Sequence, residues 1–455
     1  MNEQFFQPEN FHFGGGATQS HIHPLVVVAM FLTILVILIG RRRQVLLAFL
    51  LVSILVPFDQ VVVYSGAHFT VPRILVMAGC LRLLMEKAKA GKLFPNGLNT
   101  IDKAFIIWAV YRGLAFLLLF HVMASVPLQV ALWIQQIGGY FFLRYLIQDV
   151  EDISTAAKAL ASLVVMVGAC MSIERFYGIN VFGYVHSGPP LLPNVRNGVI
   201  RAQAFFGHAI LAGCFGATLL PLFYGLWKSG KAKILAAVAM VGSTLMVFSA
   251  GSSTPVFACV GGLLALFFWP LRRYMRRVRW GMALALVALA LVMKAPVWFL
   301  IARVNVTGSS DAYGRAMLVD NFYRHFGDWW LIGTNENYTW GEHMWDTCNA
   351  FVTEGQTGGL LTLSCFIALS SLSFGRLGKM RRQVEGDNKQ EWFYWCLCAV
   401  LVAHLFAFFG VSYFDQSQTW WFAFLAMVTA ATAGLKAEKR WEIVEEPSLK
   451  AAASA

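Results

Sequence analysis

Charge is what this sequence has least of. Only 13% of its 455 residues are Asp, Glu, Lys or Arg, while 58% are hydrophobic, and the mean hydropathy is +0.61. Soluble domains carry about 25% charged residues, so a fold made of ordinary water-facing domains is excluded. Cysteine chemistry is also missing. The eight cysteines include no CxxC pair and no Cys/His metal spacing. Seven of them (Cys80, Cys170, Cys214, Cys259, Cys365, Cys396 and Cys398) lie in apolar runs, where a thiol serves as a small core residue. Cys348 alone falls in a polar stretch. The start, MNEQFFQPENFHFGGGATQSHIH, has no basic segment and no cleavage signal, so it is not expected to act as a signal peptide. No internal repeat is visible, inverted or direct.

What fills the chain instead is apolar runs. A membrane crossing takes about 20 mainly apolar residues. The sequence predicts about thirteen transmembrane helices, at 24–40, 44–57, 68–86, 104–123, 127–147, 155–175, 206–227, 233–250, 254–271, 280–301, 358–375, 392–411 and 419–435. The fold class is therefore an all-α integral membrane protein. Residues 1–23 form an outer tail, 24–435 a polytopic membrane domain and 436–455 a polar tail.

The net charge of +12 does not signal nucleic acid, because the cations sit between spans. Alternate connections hold Arg41-Arg42-Arg43, then Lys87, Lys89 and Lys92, then Lys228, Lys231 and Lys233. The series continues with Arg272, Arg273, Arg276, Arg277 and Arg279, and with Arg376, Lys379, Arg381 and Arg382. By the positive-inside rule these face the cytoplasm, which places the N-terminus outside and the C-terminus inside. The acidic connection QDVEDIST, near 148–155, is the exception.

Two long connections lie on the predicted outer side. Residues 176–205, with HSGPPLLPNVRNG, read as irregular or re-entrant. Residues 302–357 contain DAYGRAMLVDNFYRHFGDWW, an amphipathic helix with Asp311 placed to cap it. Its apolar side holds Ala316, Leu318, Val319, Phe322, Tyr323, Phe326, Trp329 and Trp330.

Arginine is scarce on that side, so its exceptions carry information. They are Arg175, Arg196 and Arg201 near the first long loop and Arg303, Arg315 and Arg324 near the second. A guanidinium recognises phosphate in a planar, two-point fashion. Arg201 and Arg315, converging from two loops, could clamp a lipid diphosphate. The plainer alternative is that each snorkels to headgroups or pairs with Glu174, Asp311 or Asp320. His208 could bind phosphate or pack as a satisfied core histidine. His343, Asp346 and Glu354 are acid–base candidates for taking a hydroxyl proton, or solvated loop residues. No metal site is expected, since neither a DxD nor a histidine cluster stands on the outer loops. The basic residues Arg73, Arg82, Arg112, Arg144 and Lys294, inside apolar runs, need partners or water.

Three blocks, in order, resemble the O-antigen ligase and O-antigen polymerase superfamily of bacterial membrane glycosyltransferases. RAQAFFGHAILAGCF is similar to that family's Arg-x-x-Gly-x-Phe-x-His-Pro-Asn segment. It keeps Arg201, Phe205 or Phe206, and His208, and lacks the Pro-Asn. DAYGRAMLV, followed by WWLIGTN, resembles the Ser-Gly-Arg segment and the turn after it, with Arg315 and Gly333 matching. WDTCNAFVTEGQTGG resembles a ligase segment in which His is followed by a polar residue, nine residues, Gly, two residues and Gly, Thr or Tyr. Here the series is Cys348, Asn349, nine residues, Gly359, two residues and Thr362, so every fixed element fits except the histidine.

The resemblance covers roughly 195–375. It implies a GT-C-like fold and no cofactor or metal. It implies a donor glycan on undecaprenyl diphosphate at the outer leaflet of a bacterial inner membrane. Arg201, Arg315, His208 and Arg303 would hold the diphosphate. Asp346, His343, Cys348 and Asn349 would form the acceptor side. In ligases the histidine activates the acceptor. A neutral thiol is a poor base, and Asp346 and His343, two and five residues upstream, are its substitutes. A polymerase of O-antigen or exopolysaccharide repeats is the preferred member, with membrane lipids and a chain-length regulator as partners. The alternatives are a ligase acting on a lipid or protein acceptor, and a transporter or flippase of lipid-linked oligosaccharide.

Overall fold

The computed structural model describes residues 20–435 except 58, 65–66, 92, 95–96, 122, 124, 188–193, 197, 301–311, 343 and 345. Of the described residues, 78% are helical and none belongs to a closed sheet. The first helices are α1 (Pro24–Ile39), α2 (Arg42–Leu55), α3 (Val71–Ala90) and α4 (Thr100–Phe120). Next come α5 (Ser125–Trp133), a π turn (Ile134–Gly138), α6 (Gly139–Leu146) and α7 (Val150–Tyr177). The second half holds α8 (Ala209–Ser229), α9 (Lys233–Ser249), α10 (Ser253–Phe267) and α11 (Met275–Val292). The last elements are α12 (Ala312–Arg324), α13 (Ala350–Gln383), α14 (Asn388–Phe408) and α15 (Asp415–Ala431).

Each predicted segment contains a helix. Length and composition are stricter. Among the described residues, five helices, α4, α7, α8, α13 and α14, are long and apolar enough to cross a membrane. The pair around α10 and α11, bent by 74° at its break, makes a sixth if it is one span.

Some boundaries differ from the sequence reading. The third segment begins at Val71, because Val61–Tyr64 (β1) and Ala67–Thr70 (β2) pair as an antiparallel hairpin. The β-branched run VVVY favours that extended form. The seventh begins at Ala209, which leaves His208 outside the helix as its N-cap. Asp311, read as a cap, lies outside the described residues.

Helix α8 is the centre of the bundle, buried along almost its whole length against α9, α10 and α14. Close crossings rely on small residues, as apolar solvent requires. Gly168 of α7 faces Gly242 of α9, and a methyl group on Gly168 would lie 2.6 Å from the Gly242 carbonyl oxygen.

One end of the bundle gathers the basic connections and settles the acidic exception. Asp152, fully buried, takes Arg42 at 2.9 Å and Arg43 at 3.1 Å, and Glu151 takes Arg43 at 2.7 Å. At the same kind of joint, Glu391 pairs with Arg272 at 2.8 Å and Glu385 with Arg273 at 2.8 Å. Arg82 caps α1 by donating to the carbonyls of Ile37 and Gly40 at 2.6 and 2.8 Å, and Arg144 faces Asp102 at 3.6 Å. The other end is stitched by side-chain amides. Gln416 donates to the Val56 carbonyl at 2.9 Å and the Phe205 carbonyl at 3.3 Å, which joins three connections.

The amphipathic segment folds as expected but turns its face into protein. Leu318, Trp329, Trp340, Met344 and Val352 form a small separate core. Phe322 stacks on Trp329 at 3.9 Å. Tyr323, Phe326 and Trp330 stay exposed.

Candidate functional site

The turn that carries Arg201 is held from α7. Ala204 has a left-handed backbone with φ of 52°. Such a conformation is costly without Gly and persists only where neighbours enforce it. Here Glu174 accepts from the Ala204 amide at 2.8 Å, and Asn180 donates to the Ala204 carbonyl at 2.8 Å. The Ala202 amide donates to the Ser249 carbonyl at 2.9 Å. This framework fixes Arg201, only 6% exposed, with its Nε donating to the Ala250 carbonyl at 3.4 Å.

Arg201 has like charges for neighbours. Burial, then the guanidinium groups of Arg196 and Arg315, push its pKa below the ordinary value. Neither Arg201 nor Arg315 pairs with a carboxylate of the described residues. A buried guanidinium beside two others, with no balancing acid, is an arrangement that an anion would relieve.

His208 completes the group. Its Nδ1 accepts from the Ile210 amide at 3.1 Å and so caps α8. In the neutral ring the proton then sits on Nε2, which is left as a donor. Burial and the charges of Arg201 and Arg315 lower its pKa from 6.5, against the opposing pull of Asp346. The folded protein therefore resists protonating His208, whereas the unfolded chain takes up a proton below pH 6.5. Stability is lost as pH falls below that value and is level above it. We expect the thermal midpoint to drop between pH 7.5 and 5. The drop should be smaller in His208→Asn, which keeps a capping side chain. Parallel midpoint curves for the two proteins would contradict this.

Asp346 reaches the same group from the other loop. It is exposed, and its Oδ1 accepts the Cys348 thiol proton at 3.0 Å. Asn349, next to Cys348, has a structural part as well. It is 2% exposed and caps α13, accepting from the Phe351 and Val352 amides at 3.0 and 3.3 Å and donating to the Phe409 carbonyl at 3.4 Å. Glu354 faces α4 instead, accepting from Trp108 at 2.7 Å with Arg112 at 3.7 Å. His343 and Arg303 lie outside the described residues.

The sequence reading had not anticipated how α13 begins. The helix breaks at Gly358 and Gly359, where Gly359 has φ of 69° and ψ of −167°. The loop Trp330–Thr334 fills the break. Thr334 donates its amide to the Gln356 carbonyl at 2.7 Å, and Leu360 donates to the Trp330 carbonyl at 2.8 Å. The Thr362 hydroxyl takes up the Gly358 carbonyl at 2.7 Å. A Gly-Gly pair inside an apolar run was the available signal.

A cavity of about 390 Å³ opens beside Arg315. Its walls are mainly apolar, with Phe257, Leu286, Trp298, Phe406 and Phe409. Among the sequence candidates, His208 is thus brought within electrostatic reach of Arg201, Arg315 and Asp346, Arg201 within reach of Arg315, and Cys348 is bonded to Asp346. No family model matches this chain, and no curated protein matches it.

Proposed function

We propose that the protein polymerises oligosaccharide repeats carried on undecaprenyl diphosphate, by glycosyl transfer at the outer face of a bacterial inner membrane. One observation carries the reading. Arg201 is repelled by Arg196 and Arg315, forms no ion pair with an acid of the described residues, and its neighbour Arg315 lines an apolar cavity. A polyprenyl diphosphate has the complementary parts, a doubly charged head and a hydrocarbon tail. In this reading the chain crosses the membrane about thirteen times in a GT-C-like arrangement. The N-terminus is periplasmic, the C-terminus cytoplasmic, and a chain-length regulator is a partner.

The acceptor hydroxyl attacks the anomeric carbon while the bond from that carbon to the diphosphate oxygen breaks. The leaving diphosphate keeps the electron pair, and the arginines stabilise it as charge develops. His208 Nε2–H adds a neutral donor. The hydroxyl proton passes to Asp346, whose carboxylate orientation is held by Cys348. The guanidinium groups carry the charge that a metal ion would otherwise supply.

Purified protein in liposomes, given a lipid-linked repeat, is expected to lengthen it. Asp346→Asn should slow extension about 100-fold, and Cys348→Ala much less. Flux of the lipid without elongation, or transfer only to a non-repeat acceptor, would replace this reading with transport or ligation.

A further inference from the structure

A second cavity, about 380 Å³, lies at the basic end of the bundle between α7, α8 and the start of α14. Its body is apolar, with Ile153, Ala157, Leu222, Leu226, Phe393 and Leu397. Its mouth is cationic and polar, with Lys231, Lys389, Ser154, Ser229 and Gln390. We propose that this cleft binds one anionic phospholipid of the cytoplasmic leaflet, with an acyl chain in the groove and the phosphate between Lys231 and Lys389.

Three observations point to that occupant. The first is position. The cleft touches the beginning of α7, where Asp149 and Asp152 meet Arg42, and the beginning of α14, where Glu391 meets Arg272. The connections before α9 and α14 at its mouth are rich in Lys and Arg, and the acidic start of α7 is paired with Arg42; by the positive-inside rule this end meets the anionic lipid of the cytoplasmic leaflet. The second is depth. Trp269 stacks on Trp392 at 3.9 Å, and the Lys228 ammonium stands 5.1 Å from the Trp392 ring centre. Tryptophan and lysine together mark the headgroup level, and residues 228 and 392 flank the cleft residues 229, 231, 389, 390 and 393. The cleft therefore runs from headgroup depth into the acyl region.

The third is charge. The acids around the cleft are already engaged. Asp387 caps α14, accepting from the Lys389 and Gln390 amides at 2.9 and 3.1 Å and from the Gln390 side chain at 2.9 Å. Glu391 is shared by Arg272 and Arg381, and Glu151 is held by Arg43. Lys231 forms no ion pair among the described residues. Lys231 thus faces a phosphate without a competing acid, Lys389 shares its charge with Asp387, and the hydroxyls and amide suit a polyol headgroup.

Native mass spectrometry on the delipidated full-length protein tests this, with phosphatidylglycerol and phosphatidylcholine of identical chains as probes. One phosphatidylglycerol adduct should persist with about tenfold preference over phosphatidylcholine. Lys231→Ala with Lys389→Ala should erase the preference, and the matching Arg pair should keep it. Ser154→Trp, which fills the groove and leaves both lysines, should remove the adduct. Equal binding of the two lipids, or a preference that survives the double alanine change, would overturn the proposal. So would saturation of the site by inorganic phosphate alone, since that would leave the groove without a role. Size-exclusion profiles identify any variant that fails to fold, and the Arg pair and Ser154→Trp then decide independently.

Discussion

Arg315→Ala is expected to cut repeat elongation at least about 100-fold, the loss typical when a donor to developing negative charge is removed. The same change should leave the thermal midpoint of the ligand-free protein unchanged or slightly higher. Arg315 adds a like charge against Arg201, which is already disfavoured by burial. Removing a repelling charge relieves the empty protein while it disarms the loaded one, a trade between stability and activity found at charged sites. Arg201→Ala should lose as much activity, with some instability, because its Nε bond to Ala250 goes as well. Lysine at either position keeps the charge and loses the planar two-point contact, so partial activity is expected. Elongation in liposomes and thermal unfolding of the same preparations check both halves. Normal elongation by both alanine variants would remove the basis for the diphosphate clamp.

Gly333→Ala is expected to be the most damaging single substitution around the break in α13. Gly333 has φ of 91°, and a Cβ there would lie 2.0 Å from the Gln356 carbonyl oxygen. Gly359→Ala meets the same problem from the other side, with φ of 69° and a Cβ 2.4 Å from the Leu331 carbonyl oxygen. Neither obstruction is a flexible side chain; both are backbone. Backbone strain and a steric clash together should cost about 3 kcal/mol or more, enough to lower folded yield sharply. Gly375→Ala, further along α13, meets nothing within 4 Å and should be neutral or slightly stabilising, since Ala is the better helix former. Thermal unfolding of the three variants separates a local effect of the break from a general intolerance of α13. A wild-type midpoint for Gly333→Ala would show that the loop yields.

The sequence carried the helical runs and their alternating charge because those depend on each segment's own composition. Bundle packing was less visible. Asp149, Glu151 and Asp152 looked like an exception to the charge pattern until Arg42 and Arg43 proved to be their partners, more than 100 residues away. The hairpin Val61–Thr70 was read as a connection with its last three residues, 68–70, inside a predicted span, because hydropathy does not distinguish a β-branched extended run from the start of a helix. The spacing from Cys348 to Thr362 was legible, but much of what it encodes is architecture. Asn349 caps the helix, Gly359 breaks it and Thr362 takes up a carbonyl freed by the break. Glu174 and Asn180, which hold the Arg201 turn, left no local trace, since they act across α7 on a loop about 24 to 30 residues later.

The break in α13 also bears on how rigid its surroundings are. Carbonyl and amide groups exposed by a broken helix are expensive wherever water is scarce. Trp330 and Thr334 supply the partners for Leu360 and Gln356, and Tyr111 of α4 ties down the Leu331 carbonyl at 2.9 Å. Lifting this loop would strip several backbone groups at once. It is therefore a fixed wall and not a lid.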